Sequence, residues 1–157
     1  MNSKFLVSLC THAIAVGVGF AAGIYALPIL IAPEPPPNEM IAEIATKARY
    51  SAQFTRDLAD SDALHWGEGE VSITSDRVAL RGSLAPGPDY QLYLSPTFVE
   101  TEADFQQLKA DMRHVGPVKT FDNFVVTIPA DINVGDYTSV IVWCETFGQF
   151  ITAAQYR

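Results

Sequence analysis

The sequence predicts a mainly β protein: an antiparallel β-sandwich-like domain with one or two short helices, preceded by a single N-terminal transmembrane helix. Three observations carry that expectation. Phe5–Ala32 contains no Asp, Glu, Lys or Arg. From about Asp60 onward, short alternating apolar runs are separated by turn residues. The composition, 48% hydrophobic against 18% charged, supplies enough apolar material for a core and excludes a disordered chain.

A helix crosses the hydrocarbon of a bilayer in roughly 20 residues, and Phe5–Ala32 is longer than that. Lys4 flanks it on one side; Glu34, Glu39 and Glu43 follow on the other. The positive-inside rule places residues 1–4 in the cytoplasm and the rest beyond the cytoplasmic membrane, in the periplasm if the cell is Gram-negative. A cleavable signal peptide is the alternative, because "AAG" at Ala21–Gly23 has the small residues a peptidase needs. Cleavage there would leave "IYALPILIA" in water, so an uncleaved anchor over 5–32 accounts better for the segment. Cys10 does not suit lipid attachment: Leu9 precedes it where a small residue is expected. Gly19 and Gly23 form a G-x-x-x-G, a spacing that lets two membrane helices approach and form a homodimer.

"APEPPPNE" at Ala32–Glu39 reads as a stiff extended spacer. Asn38 is suited to cap a stalk helix over Glu39–Leu58 with Ile41, Ile44 and Ala48 as its apolar stripe, so 33–59 forms spacer and stalk. The folded domain occupies 60–157. "VSIT" and "VALRG" flank a hairpin loop, "TSDR". "APGPDY" at Ala85–Tyr90 is a turn, followed by the strand "YQLYL". Thr101 caps a helix, with Asp104 three residues on and Phe105, Leu108 and Met112 as the buried stripe. Gly116 and Pro117 in "HVGPV" are expected to stop it. "FVVTI", "TSVIVWCE" and "FITAAQ" are the closing strands, with "SVIVWC" central because both its faces are apolar.

Function classes narrow quickly. Lys4 is the one Lys or Arg before residue 34, all 18 Asp and Glu lie after residue 33, and the net charge is -8. A phosphate backbone would be repelled, so nucleic acid is not an expected partner. No C-x-x-C, C-x-x-C-H, G-x-S-x-G, H-E-x-x-H or Walker-type glycine loop occurs, which excludes covalent c-type haem and a dithiol oxidoreductase on motif grounds.

The segments "DALHWGEGEV" at Asp62–Val71, "LAPGPDYQLYLSP" at Leu84–Pro96 and "RHVGPVKTFDNFVVTIPADINVGDYTSVIVWCETFGQFITAAQYR" at Arg113–Arg157 resemble, in order, the DM-thirteen domain, the electron transfer DM family of extracytoplasmic modules. The resemblance covers about residues 60–157. It implies a β-sandwich-like fold and a part in electron transfer. It also implies a role for the cysteine at position 144, as a bare redox thiol or a ligand to haem b.

The residues themselves add detail. On a strand, Val140, Val142 and Cys144 share one face while Ile141, Trp143 and Glu145 share the other. Cys144 has no disulfide partner, since Cys10 lies in the apolar segment and the chain has two cysteines. Outside the cytoplasm an unpaired thiol must be sheltered, reactive, joined to another chain or bound to something. His65, with the Asp62 carboxylate to orient it, is the better candidate for a second haem ligand; His114, at an expected helix end, is the other. Tyr90, Tyr93, Trp66 and Trp143 are candidates to line a flat cofactor pocket or, more simply, the core. Asp89 is expected to hold its turn, and Glu145 to point away from the thiol. The resulting expectation is a membrane-anchored electron-transfer or redox module centred on Cys144, working with an envelope redox partner and not as a stand-alone enzyme. The alternative is a non-redox envelope binding module in which Cys144 is packed.

Overall fold

The computed structural model describes residues 3–157; the first two residues of the expected cytoplasmic tip lie outside them. Helix α1 (Ser3–Ile31) is continuous and apolar, long enough to cross a membrane. An extended segment, 32–37, leads to α2 (Asn38–Thr46).

The remainder folds as two four-stranded antiparallel sheets, the β-sandwich expected. The first contains, in spatial order, β1 (Tyr50–Phe54), β2 (Gly67–Ile73), β3 (Arg77–Leu84) and β6 (Asp122–Thr127). The second contains β5 (Arg113–Val118), β4 (Tyr90–Ser95), β7 (Ser139–Cys144) and β8 (Gln149–Gln155). Every residue of β7 is buried, and the strand lies inside its sheet between β4 and β8. Alternation explains this. Val140, Val142 and Cys144 pack into the layer between the sheets, with Val71, Leu80, Leu92 and Phe124. Ile141 and Trp143 face the other way, onto a second cluster with Tyr93, Phe105 and Phe150.

That second cluster is covered by α3 (Glu102–Leu108), followed by a 3-10 turn at Lys109–Asp111. Thr101 caps α3 as expected: its hydroxyl accepts from the Asp104 amide at 3.1 Å. Phe105 is fully buried and stacks on Trp143 with ring centroids 4.0 Å apart.

Three expectations need correction. The stalk helix ends at Thr46 instead of Leu58, and Tyr50–Phe54 is β1, paired with β2 from Tyr50↔Ile73 to Phe54↔Gly69. The period-two alternation of "YSAQF" outweighs the weak helical stripe, and Ala48 lies outside the helix. Asn38 does not cap α2; Pro37 holds the cap position and Asn38 is the first helical residue. Finally, "HVGPV" forms β5 instead of stopping a helix. Pro117 is tolerated because β5 is an edge strand, where a missing N–H need not break a ladder.

Nor does α2 stand free. Ile41 and Ile44 are 2% and 5% exposed and pack on Ala79 of β3 and Val125 of β6. Asn123, in the left-handed region at φ 42°, donates to the carbonyl of Pro36 and to Asn38 Oδ1 and accepts from the Gly82 amide. The start of α2 is thus fastened to the first sheet, and the layers run α2, first sheet, second sheet, α3. An Ile41→Ala variant should therefore lose about 2–5 kcal/mol of stability, the usual cost of truncating a buried aliphatic. Denaturant unfolding of the detergent-solubilised full chain measures this; an unchanged midpoint would mean that α2 is a solvated stalk.

Candidate functional site

Cys144 ends β7, paired opposite Tyr90 on β4 and Gln149 on β8. The Cys144 thiol donates to the carbonyl of Pro88 at 3.0 Å. Burial pushes its pKa up, and the Asp89 and Glu145 charges add to that against partial opposition from the backbone at Phe147 and Thr146. The thiol is therefore protonated at neutral pH and is not an activated nucleophile.

The turn above it is built closely. Gly87 is required there because a Cβ would come within 2.4 Å of the Tyr90 hydroxyl. That hydroxyl donates to the carbonyl of Ala85 at 2.9 Å, and burial keeps it un-ionised. Asp89, in the left-handed region at φ 55°, ties two turns together. Its carboxylate accepts from Gln91 and from the Thr146 hydroxyl, both at 2.9 Å, while its carbonyl accepts from the Glu145 amide at 3.2 Å. Sequence reasoning placed Asp89 in its own turn; the structure adds the bond to the β7–β8 turn, which holds the end of Cys144's strand against the Pro-Gly-Pro segment.

His65 and Cys144 line the same cleft, of about 390 Å³. Asp62 orients the imidazole: Oδ2 lies 3.0 Å from His65 Nδ1, and Oδ1 accepts from the amides of Leu64 and His65 at 2.6 and 2.8 Å. The bond to His65, with the Leu64 amide next, holds the Asp62 carboxyl below its ordinary range. With Nδ1 occupied, Nε2 is the ring nitrogen left for a ligand. Tyr90, Pro86, Pro88 and Phe147 supply part of the remaining apolar wall.

The other candidates lie elsewhere. Trp143 and Tyr93 belong to the cluster beneath α3, on the opposite face of the second sheet from Cys144. His114 stands beside Tyr93 across the β4–β5 ladder, with Nε2 2.8 Å from Gln91 Oε1. Trp66 carries the Arg56 guanidinium 3.3 Å above its ring. Of the four aromatics expected to line a pocket, only Tyr90 does so. Glu145 lies on the Tyr93 side of the second sheet, where Lys109 donates to both carboxylate oxygens at 2.7 Å and the Tyr93 hydroxyl also bonds it. Burial raises its pKa, but those partners outweigh burial and the net direction is down.

Sequence reasoning missed Lys109, Leu64, Phe147 and the contribution of α1. Ala21, Ile24 and Tyr25 form one wall of the cleft. Their i, i+3, i+4 spacing was legible, but any apolar helix offers several such stripes. Among the described residues, no group of three or more His, Cys, Asp and Glu side chains is arranged to hold a metal ion. A cysteine sulfur and an imidazole nitrogen are residue types that can ligate a haem iron, the sulfur as thiolate.

The family model described as "Electron transfer DM13" matches residues 53–156. The match begins inside β1, in keeping with that strand's place in the sheet. No curated protein and no solved structure matches the chain.

The protonation of Cys144 has a consequence for stability. Its folded pKa is raised, so its contribution is complete below the unfolded thiol value of about 8.5 and is lost as pH rises through the folded value. The raised tyrosines, Tyr90, Tyr93 and Tyr156, ionise in the unfolded chain only near pH 10. Between about pH 8.5 and 10 the wild-type advantage over Cys144→Ser should therefore narrow, as read from denaturation midpoints. A constant gap across that window would contradict a buried neutral thiol.

Proposed function

The chain belongs to the electron transfer DM13 family, and on that premise we propose a membrane-anchored electron-transfer module whose redox centre is the Cys144–His65 cleft. The observation that carries this is the meeting of one thiol and one carboxylate-oriented imidazole in a single apolar cleft. Helix α1 serves as the uncleaved anchor, with the sandwich beyond the cytoplasmic membrane. The G-x-x-x-G spacing of Gly19 and Gly23 suits helix pairing into a homodimer. An envelope protein is the electron partner.

A bound group fits better than a bare thiol. No positive charge lowers the pKa of Cys144, and its Sγ is engaged with Pro88. Cys144 and His65 would hold haem b, which when bound supplies a one-electron couple. Ligation requires Cys144 to surrender its proton and its bond to Pro88. Asp62 keeps His65 Nδ1 occupied and so directs Nε2 to the ligand. The Asp89 bridge holds the two turns that carry Pro88 and Cys144.

A second reading has its own support. Cys144 is 2% exposed and its thiol is satisfied by Pro88, as in a packed cysteine of a non-redox binding module. The absorbance spectrum of the full chain, expressed with a haem precursor, separates the two. The electron-transfer reading expects a haem band that shifts or vanishes in Cys144→Ser. A colourless protein whose Cys144 reacts with a thiol reagent only after unfolding would leave the binding module standing.

A further inference from the structure

The mouth of the Cys144 cleft is apolar, and part of it is supplied by α1. Ala21, Ile24 and Tyr25 line it and, with Pro28 beside it on the same helix face, recur at i, i+3, i+4 and i+7. Ile24 and Pro28 are half-buried while the neighbouring residues of α1 are exposed. Leu64 and Phe147 stand on the domain side of the cleft at 55% and 49% exposure. Beyond α1, only Met40 joins them among the described residues as an exposed large hydrophobic. No Asp, Glu, Lys or Arg lines the cleft.

The depth of these residues follows from the length of α1. Its 29 residues extend about 43 Å at 1.5 Å per residue, more than the roughly 30 Å of bilayer hydrocarbon. Counting from Phe5, next to Lys4, about 20 residues bring the helix to Ile24. The α1 wall of the cleft therefore lies where hydrocarbon gives way to headgroups. Tyr25 is the residue type that settles at that boundary. Pro28 has no N–H, so the carbonyl of Ile24 lacks its helical donor; hydrated headgroups satisfy it, and hydrocarbon does not.

We propose that Leu64 and Phe147 insert into the headgroup–acyl boundary of the membrane that holds α1, so that the Cys144 cleft opens onto lipid and not onto bulk water. The partner of this surface is the bilayer itself. The inference rests on reading α1 as a retained anchor. With a net charge of -8, the chain gains nothing from anionic lipid, so the contact is hydrophobic and insensitive to salt.

The test places tryptophan on the rim of the full chain in lipid nanodiscs, as Phe147→Trp and, separately, Leu64→Trp. Ala130→Trp, in the exposed loop before β7 at the other end of the sandwich, is the control. The wild-type emission of Trp66 and Trp143 is subtracted. Acyl-brominated lipid should remove most of the added emission at 147 and 64, at low and high salt alike, and spare that at 130. Rim emission as unquenched as the control overturns the proposal. An intact mass lacking α1 defeats the anchor reading and the proposal together, whereas a retained α1 with an unquenched rim defeats the proposal alone.

Discussion

Strand β7 has no solvent face. Its six residues are buried, and the surrounding architecture provides cover for the two surfaces that alternation gives it. The first sheet closes over Val140, Val142 and Cys144, while α3 closes over Ile141 and Trp143. A strand apolar on both faces must lie inside a layered fold. The same constraint places the cysteine, at the last residue of the strand, on the inward face and just below the end of the sandwich.

The chemistry of that end follows from the turns crossing it. Gly87 admits the Tyr90 ring, Pro88 offers a carbonyl to the thiol, and Asp89 bridges to Thr146 on the far side. The result is a neutral, hydrogen-bonded thiol at the edge of an apolar cleft. His65 reaches the same cleft on a loop that Asp62 folds with two backbone bonds and one side-chain bond. Neither group is poised alone for nucleophilic work. Both line one apolar cleft, and the reading proposed above has them act together on a bound group.

Much of this was legible in the sequence, for physical reasons. The β7 pattern, the β2–β3 hairpin and the Thr101 cap are local signals, and each fold element formed where its signal lay. The failures share a cause as well. "YSAQF" alternates weakly, and only pairing with β2 makes it a strand. "HVGPV" contains two helix-stopping residues that an edge strand also tolerates. At the site, Cys144, His65 and Tyr90 converge, whereas His114, Tyr93 and Trp143 fall on the outer face of the second sheet. The parity of Trp143 relative to Cys144 was readable along one strand. The parity of Tyr93 and His114 depended on the β4 and β5 registers, which no single segment encodes.

In the electron-transfer reading proposed above, Cys144 and the Asp62-oriented His65 act on one redox group. Voltammetry of the full chain, reconstituted in membrane on an electrode after expression with a haem precursor, addresses it directly. A reversible one-electron wave is expected in the wild type; it should disappear in Cys144→Ser and move in Asp62→Asn, where the imidazole loses its charged partner. No wave in the wild type, or the same wave in Cys144→Ser, would contradict that reading.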